Sequence, residues 1–108
     1  MSNQIDRRER LAWPGPLTVR TVLDARRAVL AAFEGCDCVD FELSADADID
    51  LAALQFLHSV RLEAARTAKT FRLIASAGGR LQQVLQEAGF GSVMNADDRT
   101  FWSYQGAA

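Results

Sequence analysis

A hydrophobic period that switches repeatedly between two and about 3.6 residues constrains this chain more than any other feature. Cys38-Val39-Asp40-Phe41-Glu42-Leu43 alternates strictly, so Val39, Phe41 and Leu43 share one face of a strand and Cys38, Asp40 and Glu42 the other. Before it, Val22, Ala25, Val29 and Ala32/Phe33 recur at spacings of three and four, the buried stripe of a helix, with Arg26, Arg27 and Glu34 largely off it. Thr21 stands where a capping hydroxyl is expected, Asp24 three residues later occupies the capping-box place, and Gly35 ends the helix.

The same alternation continues in both directions. Leu11-Ala12-Trp13 reads as a short strand stopped by Pro14-Gly15-Pro16, whose prolines remove two backbone donors; Leu17-Thr18-Val19 is one more extended stretch. After the acidic loop Ser44 to Asp50, Asp48 or Asp50 can cap a second helix from about Leu51 to Thr67. Ala53, Leu57, Val60 and Ala64 form its apolar side, widened by Leu54 and Ala65, opposite Gln55, Ser59, Glu63 and Arg66. Phe71 to Ala75 is a strand, Ser76 to Gly79 a turn, and Arg80 to Ala88 a third helix buried through Leu81, Val84, Leu85 and Ala88 and stopped by Gly89. Phe101, Trp102 and Tyr104 read as a last strand or a helix remnant, and as a lid on the core in preference to a sticky end for a partner.

Strands alternating with helices predict an α/β fold, helices packed on a mostly parallel or mixed sheet of about four strands with three helices. The domain is expected over residues 11–108, with 1–10 a polar tail or the lead-in to an edge strand. The 108 residues, 49% hydrophobic and 24% charged, suit one globular domain rather than a rod, a collagen repeat or a disordered tail. No apolar run is long enough for a membrane-spanning helix and no secretory signal is evident, so the expected location is cytoplasmic.

Charge and side-chain chemistry exclude several function classes. The formal net charge is −2, and the arginines are scattered rather than gathered into the basic stripe of a nucleic-acid binder. His58 is the only histidine, and Cys36 and Cys38 are the only cysteines. That set cannot complete a zinc site unaided. The two thiols, separated by one residue at the start of a likely strand, read as packing groups without a disulfide. Asp46, Asp48 and Asp50 alternate as in a calcium loop, but Leu51 and Leu57 stand where that loop needs glycine and glutamate. His58 and Arg61 read as packing residues flanking the second helix, with Arg61 free to snorkel or pair. Ser76-Ala77-Gly78-Gly79-Arg80 lacks the Lys-Ser/Thr pair of a phosphate loop. No cofactor, metal or enzymatic activity is expected.

Taken in order, several segments resemble the STAS domain, the module shared by bacterial anti-sigma-factor antagonists and the cytoplasmic tails of sulfate transporters. Gly15-Pro16-Leu17-Thr18 with Thr21 resembles that family's G-E-L-D stretch and following threonine. Asp40-Phe41-Glu42-Leu43 resembles the end of its central strand, Asp50-Leu51-Ala52-Ala53-Leu54 its D-S-S-G-L, and Phe71 to Phe90 its strand, turn, helix and closing pair. The resemblance spans roughly Leu11 to Phe90, and the family's long last helix has no clear counterpart.

The resemblance implies a non-enzymatic protein-interaction module that docks on a regulatory partner, a kinase-type ATPase or a chemotaxis or sensory signalling protein, with a homodimer also open. It implies a partner-binding surface at Asp46, Asp48, Asp50, Leu51, Ala52 and Gln55. In the antagonists the residue after the aspartate is a phosphorylated serine or threonine; here it is Leu51, followed by Ala52. Neither has a hydroxyl, so a phosphorylation switch at this position is chemically excluded. Leu51 either projects as a contact or folds back onto the sheet, and the acids either stand for a phosphate or only cap the helix. The alternative is a small cytoplasmic subunit of a lipid-transport ABC transporter, against which Leu51 counts because those subunits keep a threonine there.

Overall fold

The central strand of the sheet is the segment whose alternation is cleanest. The computed structural model describes residues 8–44, 47–74, 80–88 and 101–102. Within them β1 (Arg8–Trp13), α1 (Val22–Gly35), β2 (Cys38–Leu43), α2 (Leu51–Arg66), β3 (Thr70–Ile74) and α3 (Arg80–Glu87) follow one another. The strands lie in the order β1-β2-β3, all parallel. Arg10, Asp40 and Arg72 fall on one line across them.

One face of this sheet carries the core. Val39, Phe41 and Leu43 of β2 and Phe71 and Leu73 of β3 cluster with Ala25, Val29 and Ala32 of α1, Ala53, Leu54 and Leu57 of α2, and Leu81, Val84 and Leu85 of α3. All three helices therefore cover the same side. Phe41 is its hub, with ring centroids 6.2 Å from Trp13, 6.2 Å from Phe56 and 5.9 Å from Phe71. Phe101 and Trp102 are buried in this cluster, Phe101 6.0 Å from the Phe71 ring. That is the lid arrangement, in helical rather than strand backbone; Tyr104 lies outside the described residues.

The opposite face is built of charge. Arg72 grips Asp40 through two bonds, Nε to Oδ1 at 2.8 Å and Nη2 to Oδ2 at 3.0 Å. Arg8 adds Nη1 to Oδ2 at 3.4 Å, and Arg10 Nε donates to Glu42 Oε1 at 3.0 Å. Asp40 is only 7% exposed, and a carboxylate so placed is tolerated because charged donors satisfy it. Arg10 holds the Glu42 carboxyl below the usual carboxylate range. Burial pushes the Cys38 thiol up, opposed by the Arg8 charge.

Among the described residues the sheet has three strands, and a fourth is not seen there. Several other expectations are corrected. Leu17 joins Ile49 only as an isolated parallel bridge, because Pro14-Gly15-Pro16 breaks the ladder and the chain then turns into α1. β1 begins at Arg8, not Leu11: Arg8 and Arg10 are strand residues whose charges are answered by β2. Strand β2 is buried on both faces rather than half-buried, Glu42 alone being partly open, as befits the middle of a parallel sheet. In α2, Phe56 is buried where the wheel omits it and Ala65 is exposed. The expected turn at Ser76–Gly79, the stop at Gly89 and the end of the third strand at Ala75 lie outside the described residues, as does Met1 to Arg7.

Helix ends depart from the local signals as well. Thr21 makes no side-chain cap bond to α1. Its Oγ1 instead accepts from Thr18 N at 2.9 Å and donates to the Pro16 carbonyl at 2.9 Å, which also receives Trp13 Nε1 at 2.9 Å. Gly35 does close α1, but the chain leaves through extended Cys36, with φ −154°, not through a left-handed glycine.

The left-handed residue follows α2 and is Ala68, with φ 62°, where glycine or asparagine is usual. Lys69 N then reaches back to the Ala64 carbonyl at 2.8 Å. A Cβ in this region costs about 1–2 kcal/mol, of which glycine's greater chain entropy returns a part. Ala68→Gly is therefore expected to stabilise the fold by about 0.5–1 kcal/mol, read as a higher urea midpoint; a lower midpoint would refute the strain.

Candidate functional site

Three short segments meet where β1 and β2 end. Beyond Trp13 and Leu43 the two chains separate and rejoin at the Leu17–Ile49 bridge, with Leu17 N donating to the Asp48 carbonyl at 2.8 Å. Both bridge residues are buried, so this contact anchors the β1–α1 loop to the segment entering α2.

Asp50 finishes the junction. It is the N-cap of α2, extended at φ −125°, and its Oδ1 accepts from Ala53 N at 3.1 Å. Its other oxygen, Oδ2, accepts from Val19 N at 2.9 Å. One carboxylate thus caps a helix and clamps a loop thirty-one positions away in the chain. Both oxygens are engaged within the fold, and of the two residues able to cap this helix Asp50 is the one that does.

The clamp displays apolar side chains. Leu51 is 51% exposed and Val19 69% exposed, on either side of the Asp50–Val19 bond. Leu51 does not fold back onto the sheet. Leu23, one residue into α1, is also exposed. Asp48 and Gln55 are exposed and Ala52 is half-buried; Asp46 lies outside the described residues. The junction therefore combines an apolar pair, one outward acid at Asp48 and a polar side chain one turn on at Gln55. Such a surface can seat in an apolar pocket with a basic rim.

The remaining candidates are placed elsewhere. Cys36 Sγ contacts the Ala32 carbonyl at 3.0 Å and Cys38 Sγ the Asp40 carboxylate at 3.8 Å, neither with His58. His58 is half-buried, and its Nδ1 has no hydrogen-bond partner. Arg61 lies 5.3 Å over the Phe101 ring, a packing role of the kind its position predicts. Ser59 Oγ donates to the Phe56 carbonyl at 3.0 Å. Among the described residues no three His, Cys, Asp or Glu side chains gather as a metal site, and no helix is long and apolar enough to cross a membrane.

Sequence reasoning misses Val19, because an exposed valine after a loop carries no local signal. Only the 31-residue separation closed by Asp50 gives it a place. It also misses a cleft between α1 and α2, of about 400 Å³, lined by Arg26, Leu30, Phe33, Val60, Glu63 and Lys69 among others. No known family, no curated protein and no solved structure matches this chain.

Proposed function

We propose that this chain is a non-enzymatic, cytoplasmic protein-interaction module of the STAS type, which docks on a regulatory partner through the first turn of α2. The observation that carries the reading is the exposure of Leu51 and Val19 beside Asp50, whose two hydrogen bonds tie the β1–α1 loop to the start of α2. Apolar residues fixed in place before binding lose little conformational entropy on docking, so their burial is available to affinity. The partner this surface fits has an apolar pocket for Leu51 and basic groups facing Asp48. By resemblance that partner is a kinase-type ATPase regulator or a chemotaxis or sensory protein. The same reading brings with it a fourth strand in the sheet and a docking surface extending to Asp46, Ala52 and Gln55.

The absence of a hydroxyl at Leu51 makes this a non-switching adaptor: the contact is set by sequence and is not released by phosphorylation there. The test is co-purification of the tagged protein from its native cells, beside Leu51→Glu and Asp48→Lys variants. Wild type is expected to recover a kinase-type or chemotaxis protein. Leu51→Glu, which places a charge in the apolar contact, is expected to weaken that complex by about a hundredfold, about 3 kcal/mol. Asp48→Lys is expected to slow association. Equal recovery by all three versions would move the interface elsewhere, and recovery of a lipid-transporter ATPase would overturn the regulatory assignment.

A further inference from the structure

The chain's only lysine stands at a place where the sequence provides no reason for one. Lys69 follows left-handed Ala68, and the reversal of the chain there returns its side chain to α1. Its Nζ donates to the Phe33 carbonyl at 2.8 Å and lies 5.5 Å over the Phe33 ring. Phe33 is in the last turn of α1, where carbonyls lack helical partners, and α1 has no basic residue of its own there. The ammonium carries three donors; this is its one hydrogen bond to a described residue, and Lys69 also lines the cleft between α1 and α2.

The cleft beside it is shaped and charged for a small ligand. Its volume, about 400 Å³, lies within the range of small-molecule sites. Leu30, Phe33, Val60 and Ala64 supply apolar wall, and Leu30 is 47% exposed. The rim carries Arg26, Lys69 and Glu63. Glu63 is already answered by Arg66, whose Nε donates to it at 3.2 Å, and that bond holds its carboxyl below the usual range with Arg26 adding a weaker pull. Arg26 makes no side-chain hydrogen bond or ion pair with a described residue. Two cations thus face an apolar trough on a chain whose net charge is −2.

We propose that the α1–α2 cleft binds a small anionic amphiphile, with its carboxylate or equivalent acid group on Lys69 and Arg26 and its hydrocarbon body along Leu30, Phe33 and Val60. The site is separate from the first turn of α2, so it stands or falls independently of the docking surface.

The probe is decanoate, kept below its micelle concentration, titrated into the 15N-labelled full chain and followed by amide chemical shifts. Acetate carries the head group alone, and decyltrimethylammonium the body with the opposite charge. Saturable shifts at Leu30, Phe33, Val60 and Lys69 with decanoate are expected, with acetate and the cationic amphiphile at least tenfold weaker. Arg26→Gln, a change on an exposed side chain, is expected to weaken decanoate several-fold, and Arg26→Gln with Lys69→Gln at least tenfold. Thermal melts of each variant show whether the fold is retained, and Arg26→Gln alone decides the matter where the double variant does not fold. Shifts spread over the surface, equal response to the cationic amphiphile, or unchanged affinity in folded Arg26→Gln would overturn the proposal. Concentration-dependent shifts at the same residues without any probe would overturn it in favour of a second copy of the chain.

Discussion

Phe41→Ala is expected to lower the free energy of unfolding by about 3–5 kcal/mol, the largest effect of any single change considered. Phe41 is fully buried in the central strand and touches aromatic rings from β1, β3 and α2. Truncation removes its transfer energy and opens a cavity that three separate elements would have to close together. Against a total stability of about 5–15 kcal/mol for a domain of this kind, that is a large share. Phe41→Leu, which restores most of the volume, is expected to cost about 1.5 kcal/mol or less. Urea unfolding measures both, with the midpoint falling at constant slope. A loss below about 1 kcal/mol for the alanine variant would show that Phe41 is not the hub.

Asp50→Ala is expected to cost about 2–3 kcal/mol, combining a lost N-cap with a lost charged hydrogen bond to Val19 N. The Asn variant separates the two contributions. Its single side-chain carbonyl can still cap Ala53, while its amide presents donors to the Val19 N–H, so about half of the loss is expected to remain. The two changes also bear on docking. Releasing the β1–α1 loop frees Val19, so partner affinity falls even though neither variant alters Leu51. Hydrogen exchange at Val19 checks the mechanism: both variants are expected to expose its amide, whereas Ala53 N, which also donates to the residue-50 backbone carbonyl at 3.1 Å, stays largely protected. Unchanged protection at Val19 in both variants would refute the clamp.

The helices and strands were legible where period and burial agree. Val39, Phe41 and Leu43 do face the core, as do Ala25 and Val29 of α1 and Leu81, Val84 and Leu85 of α3. Legibility failed where a residue's partner is distant in sequence. Arg8 and Arg10 read as a polar tail or a lead-in to an edge strand, and the choice was not legible because the carboxylates that answer them in the strand, Asp40 and Glu42, lie thirty-two positions away. Thr21 reads as a cap because its hydroxyl and position fit one, yet Pro16 and Thr18 compete successfully for that hydroxyl. At the candidate site, a cap at Asp48 or Asp50 was readable from the apolar helical stripe that follows; that Asp50 is the one, and that it also bonds Val19, was not.

By itself, the sequence determined the alternation of strands and helices, the inward faces of β2, α1 and α3, and the chemistry excluded at Leu51, which has no hydroxyl to phosphorylate. These follow from local periodicity and side-chain composition, which need no knowledge of neighbours. Tertiary structure alone decided that all described strands run parallel, that Arg72 and Arg8 converge on Asp40, that Asp50 clamps Val19, and that Lys69 reaches Phe33 across the α1–α2 cleft. Each of those depends on the register of distant segments, and a hydrogen bond, unlike a hydrophobic period, exists only once both of its partners have been brought within about 3 Å.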